Sequence, residues 1–124
     1  PAVIETFAPA LQADPATRTW WARVLRHAAT TARLRAVLTG LRDADVRDLL
    51  PQVGCPTLVM HRRGDRAVHF QAGEHLAANI RSARFVPMQG ECHWWWVENS
   101  SLVASTILDF ASAGLAANRL QPVL

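Results

Sequence analysis

Two residues of complementary chemistry stand 28 positions apart in this 124-residue chain: Asp65 and His93. Each follows a short apolar run. Thr57-Leu58-Val59-Met60-His61 precedes Asp65, and Arg84-Phe85-Val86-Pro87-Met88 precedes His93. A loop glycine stands before each, Gly64 and Gly90. A carboxylate beside an imidazole holds one ring tautomer and stabilises the imidazolium, leaving the other ring nitrogen to act as a base. Asp65 and His93 make such a pair if the fold brings them together. The plainer reading is a turn aspartate and an unrelated loop histidine.

Other reactive side chains offer less. Cys92 adjoins His93, but chain neighbours seldom orient so that one deprotonates the other. Two cysteines make no disulfide framework, and both Cys55 and Cys92 are expected as reduced, packed thiols of a cytoplasmic protein. His61, His69 and His75 are spaced by eight and six, which puts them on no common helical face; no metal or cofactor is expected. Trp94-Trp95-Trp96 is expected mainly to pack against the stretch carrying Trp20 and Trp21, with one ring facing a substrate. Trp94, Trp95 and Val68 are the candidate pocket residues. All thirteen basic residues are Arg, giving a net charge of +3. Arg18, Arg23, Arg26, Arg33 and Arg35 share one helical stretch, and Arg62, Arg63 and Arg66 sit near one loop. These read as a solvated face and a solvated loop, so nucleic acid is not an expected partner.

The elements around these residues give the fold class. Half of the residues are hydrophobic, which excludes a disordered charged tail. No run approaches the roughly 18 apolar residues of a membrane span. Residues 1 to 48 read as helical, with Trp20, Trp21, Val24, Leu25, Ala28, Leu34, Val37, Leu38 and Leu41 at spacings of three and four. Asp14-Pro15 supplies a cap and a first helical residue. Thr30-Thr31 divides the stretch, Gly40 marks a stop or break, and a short helix from Asp43 to Leu50 ends at Pro51. Then come a buried strand over 57–61, a helix from His69 or Phe70 to Ile80, a second strand over 84–88, and a helix from Ser101 that Gly114 ends. Strand, helix, strand predicts a parallel βαβ unit, with both exit loops at one sheet end. The expected division is a helical segment 1–48, a βαβα part 49–116 and a tail 117–124. Two strands are fewer than a parallel sheet normally has.

The stretch Cys55-Pro56-Thr57-Leu58-Val59-Met60-His61-Arg62-Arg63-Gly64-Asp65 resembles the α/β-hydrolase strand that runs into the acid of the catalytic triad. Ala83-Arg84-Phe85-Val86-Pro87-Met88-Gln89-Gly90-Glu91-Cys92-His93-Trp94 resembles the last strand and the loop of the catalytic histidine. The approach Asp45-Val46-Arg47-Asp48-Leu49-Leu50-Pro51 is similar to that of bacterial hydrolase domains joined to nucleotide cyclases or transcriptional regulators. The resemblance covers about residues 43 to 113. It implies Asp65 as triad acid, His93 as general base, residues 1 to 42 as a cap, and a small acyl compound such as an ester as substrate. The family carries its serine on a Gly-x-Ser-x-Gly elbow ahead of the acid. That motif is absent here: Ser82 lies in a helix-to-strand turn, and Ser100, Ser101, Ser105 and Ser112 all follow His93. The expectation is therefore the C-terminal part of a serine hydrolase, inactive alone, with the nucleophile and oxyanion hole upstream of Pro1. The alternative is a hydrolase-shaped module that works by association. An open strand edge and exposed tryptophans predict self-association or pairing with the missing half.

Overall fold

The computed structural model describes residues 2–119. Its architecture is mixed α/β, the expected class. Helix α1 (Ala2–Phe7) leads through a 3-10 turn, Pro9–Leu11, into α2 (Pro15–Ala28) and α3 (Thr31–Asp43). The caps explain the boundaries. Asp14 accepts from the amides of Ala16 and Thr17 at 3.1 and 3.0 Å, with Pro15 at the first helical position. Thr30 Oγ1 accepts from the Arg33 amide at 3.3 Å, so the chain divides at the threonine pair. Gly40 does not stop α3; its surroundings are open and demand no turn. The helix expected over 43–50 is a 3-10 turn, Arg47–Gln52, with Pro51 inside it.

Strand β1 (Thr57–Arg62), helix α4 (Phe70–Asn79) and strand β2 (Ala83–Met88) form the βαβ unit, followed by α5 (Ser100–Arg119). The strands pair in parallel, Thr57 opposite Ala83 and Arg62 opposite Met88, and make a two-stranded sheet among the described residues. Helix α5 runs past Gly114, which has open space around it and again forces no end. Of the expected tail, residues 120–124 lie outside the described residues.

One face of the sheet lies against α4. A Cβ on Gly73 would stand 2.6 Å from His61 Nδ1, so only glycine allows this approach. Phe70 meets the rings of His61 and Phe85 at 5.8 and 5.5 Å. β1 is less buried than its apolar sequence predicts, with only Val59 and Arg62 fully covered. The main buried cluster lies elsewhere. Ile4 and Ala8 pack with Cys92, Trp94 and Val97, backed by Phe7, Leu11 and Trp21. The N-terminal helices thus rest on the loop that carries His93. Helix α3 buries no residue, and Leu34, Val37, Leu38 and Leu41 all face out.

Candidate active site

Parallel pairing puts both exit loops at one end of the sheet, and main-chain bonds extend the pairing into them. Arg63 N donates to Met88 O at 2.9 Å, and Gly64 N to Gly90 O at 3.0 Å. The next residue, Asp65, is thereby held against the His93 loop. Asp65 Oδ1 accepts from the amides of Ala67 and Val68 at 2.8 and 3.0 Å. Asp65 Oδ2 lies 2.8 Å from His93 Nδ1. An ionised carboxylate only accepts, so this contact puts the proton on Nδ1 and leaves Nε2 with its lone pair. Burial pushes the Asp65 carboxyl up, yet the His93 ring and the two amides outweigh it and hold the group below its ordinary range. The Asp65 side chain is 6% exposed and that of His93 39%, so the acid is enclosed and the imidazole reachable.

Two residues brace the pair from behind. His61 Nε2 lies 3.0 Å from the Val68 carbonyl, to which it donates, and 3.6 Å from Asp65 Oδ2. Phe7 O accepts from the amides of His93 and Trp94 at 2.7 and 3.2 Å, and its ring stands edge-on to the imidazole at 5.3 Å.

Arg62 departs from its expected place in a solvated loop: it is 5% exposed. Its guanidinium donates to the carbonyls of Cys92 (2.6 Å), Trp94 (3.0 Å), Val97 (2.5 Å) and Glu98 (2.5 Å). Glu98 Oε2 accepts from the amides of Glu91 and Cys92, both at 3.2 Å, and lies 3.9 Å from Arg62 Nε. Gly90 has φ +115°, a conformation that a side chain rarely adopts, and a Cβ there would run into Glu98 and Arg62. Sequence reasoning missed Arg62, Glu98, His61 and Phe7. Strand alternation was the available signal: it puts Arg62 on the same face as Leu58 and Met60.

A cavity of about 150 Å³ opens beside the pair, lined by Met60, Met88, Val103, Val68 and Trp95 together with Asp65 and His93. Two of the three expected pocket residues, Val68 and Trp95, line it. The third, Trp94, turns into the core, 4.7 Å from Trp21 and 6.2 Å from Trp20 by ring centres, and Trp96 stacks on it at 5.3 Å. Cys92 is buried, and burial pushes its thiol up, away from the thiolate form of a nucleophile. Cys55, expected in the core, is exposed. Ser82 Oγ donates to Cys55 O at 2.8 Å at the opposite end of the sheet, and no serine lines the cavity among the described residues. No group of three or more His, Cys, Asp or Glu among them could hold a metal ion. No helix among them is long and apolar enough to cross a membrane.

No protein-family model matches the chain. It is similar to the AB hydrolase superfamily protein YisY of Bacillus subtilis (strain 168), 27% identical over 100 residues, which are 81% of this chain and 37% of that protein. It is also similar to a protein of Pseudomonas savastanoi pv. phaseolicola named "Putative carbamate hydrolase RutD", 30% identical over 92 residues, 74% of this chain and 36% of that protein. The matched stretch spans little more than a third of either curated relative.

Proposed function

We propose, on the premise that this chain belongs to the α/β-hydrolase family, that it supplies the acid and the base of a serine hydrolase acting on an ester or related acyl compound. The observation that carries the reading is the 2.8 Å contact between Asp65 and His93 Nδ1, with an open imidazole and an enclosed carboxylate. Asp65 holds the ring in the Nδ1–H tautomer. Nε2 takes the proton of a serine hydroxyl as its oxygen bonds to the acyl carbon. Asp65 stabilises the imidazolium, which then protonates the leaving group. Water repeats the sequence to release the acid. The serine and the oxyanion donors belong, on this reading, to protein outside these 124 residues. The cavity beside His93, lined by Val68 and Trp95, suits the acyl side of the substrate. One relative's name mentions a carbamate, so carbamates join esters in the panel. The two free cysteines fit a cytoplasmic setting.

The test is hydrolysis of p-nitrophenyl esters and carbamates by this chain alone and by a polypeptide that adds a Gly-x-Ser-x-Gly segment ahead of it. The longer protein is expected to turn over and to lose at least about 10³-fold on His93→Ala. A longer protein indifferent to that change, or activity of the chain alone, overturns the reading. The outward-facing Leu34, Val37, Leu38 and Leu41 of α3 favour a second reading, a non-catalytic association module. It predicts a stable complex and no hydrolysis.

A further inference from the structure

We infer that Arg62 and Glu98 are positioning residues for His93, a two-sided clamp on the main chain of the loop that presents the imidazole. This inference rests on the acid–base reading of Asp65 and His93. The loop from Gly90 to Asn99 contains neither helix nor strand. Its peptide groups have no ladder or helix of their own, so they must be satisfied by partners from outside, as the His93 and Trp94 amides are by Phe7 O. Arg62 serves the carbonyls. It is the last residue of β1, and its guanidinium donates to five carbonyls, at Cys92, Trp94, Trp95, Val97 and Glu98. Those carbonyls bracket His93 from both sides.

Glu98 serves two of the amides, its Oε2 accepting from those of Glu91 and Cys92. Glu98 and Asn99 have φ of +57° and +53°, left-handed for non-glycine residues, which turns the Glu98 side chain back over its own loop. The carboxylate also faces the guanidinium, Oε2 being 3.9 Å from Nε. A buried cation is costly to hold unless it is paired and hydrogen-bonded. Here it has a carboxylate beside it and carbonyl dipoles around it. The planar, five-donor guanidinium suits this task, while an ammonium supplies three donors from one point. Gly90 completes the arrangement, since a side chain there would enter the space of both residues. The Arg62 carbonyl accepts from the Asp65 amide at 3.3 Å, but neither the Arg62 guanidinium nor the Glu98 carboxylate bonds the Asp65 carboxylate among the described residues, so the effect of these two side chains on the pair passes through the loop.

The experiment uses this chain, labelled with ¹⁵N, and reads the proton bridging His93 Nδ1 and Asp65 by NMR, with amide exchange at Cys92 and His93. It requires no hydrolysis, so its outcome is independent of whether the serine hydrolase reading holds. His93→Ala first assigns the bridging signal. Arg62→Met is expected to abolish it and to speed amide exchange at Cys92 and His93 about tenfold or more, with the βαβ unit still folded by circular dichroism. Arg62→Lys is expected to restore the signal only in part. Ile80→Ala, a buried change at the far end of α4, is the control: it lowers stability and keeps the signal. A folded Arg62→Met that retains the signal and the slow exchange overturns the inference, as does Ile80→Ala losing them equally. Should Arg62→Met fail to fold, Glu98→Ala decides in its place, loss of the bridging proton supporting the clamp and its persistence refuting it.

Discussion

The three consecutive tryptophans make a sharp stability prediction, because neighbours of identical type sit in different surroundings. Trp94 is 6% exposed, Trp95 58% and Trp96 48%. Burying a Trp side chain removes roughly 200 Å² from water, worth about 5 kcal/mol at about 25 cal/mol per Å². Trp94 realises nearly all of this and adds edge contacts to Trp20 and Trp21. Trp95→Ala can lose at most about 2 kcal/mol by the same arithmetic. Trp94→Ala is therefore expected to cost about 3–5 kcal/mol and Trp95→Ala at least about 1 kcal/mol less. The assay is urea unfolding followed by far-ultraviolet circular dichroism, since fluorescence would change with the tryptophans themselves. Because a domain of this size holds only about 5–15 kcal/mol in all, Trp94→Phe runs beside it as a milder step in the same direction. Equal costs for Trp94→Ala and Trp95→Ala, with unchanged urea slopes, would refute the placement of Trp94 in the core and of Trp95 at the cavity.

Three further outcomes follow from the same geometry. Gly90→Ala should cost about 1–2 kcal/mol or more, because a side chain at φ +115° is strained and meets Glu98 and Arg62; denaturant midpoints check it. Asp65 titrates below its ordinary 3.8 when folded, so the stability it contributes is complete above that value and disappears as the pH falls through the lower folded value. Asp65→Asn should thus weaken the protein at pH 7 and flatten its acid limb, as paired unfolding curves at pH 7 and pH 3 would reveal. Replacing Leu38 and Leu41 of α3 by Gln should leave monomer stability within about 0.5 kcal/mol, while size-exclusion chromatography shows reduced self-association.

The placement of Asp65 and His93 was legible because it depends on topology: two apolar strands joined by one helix have to run parallel, and their exits have to share an end. The cap residues Asp14 and Thr30 were legible for a similar reason, their chemistry being local. Gly40 and Gly114 misled, since a glycine ends a helix only where the chain must turn, and both sit in open space within continuing helices. Pro51 likewise stands inside a 3-10 turn rather than after a helix. Arg62 was concealed by its neighbours. Beside Arg63 and Arg66 it reads as one more solvated charge, while its burial depends on carbonyls that follow 30 to 36 residues later. Trp94 and Trp95 are identical in sequence, and only the position of α1 and α2 distinguishes them.

The position of Arg62 at the last rung of the strand ladder has an entropic meaning. Gathering a segment some 30 residues away would by itself cost about 3 kcal/mol in loop closure. Arg62 is paired with Met88, however, and the β1–β2 ladder has already brought the two chains side by side. From that rung the guanidinium has to collect only the short stretch beyond Met88. Its bonds then act as a reversible staple whose chain-closing cost is carried by the sheet, and which needs no sulfur and no oxidant. Loosening the rung at Met88 would therefore be felt at His93.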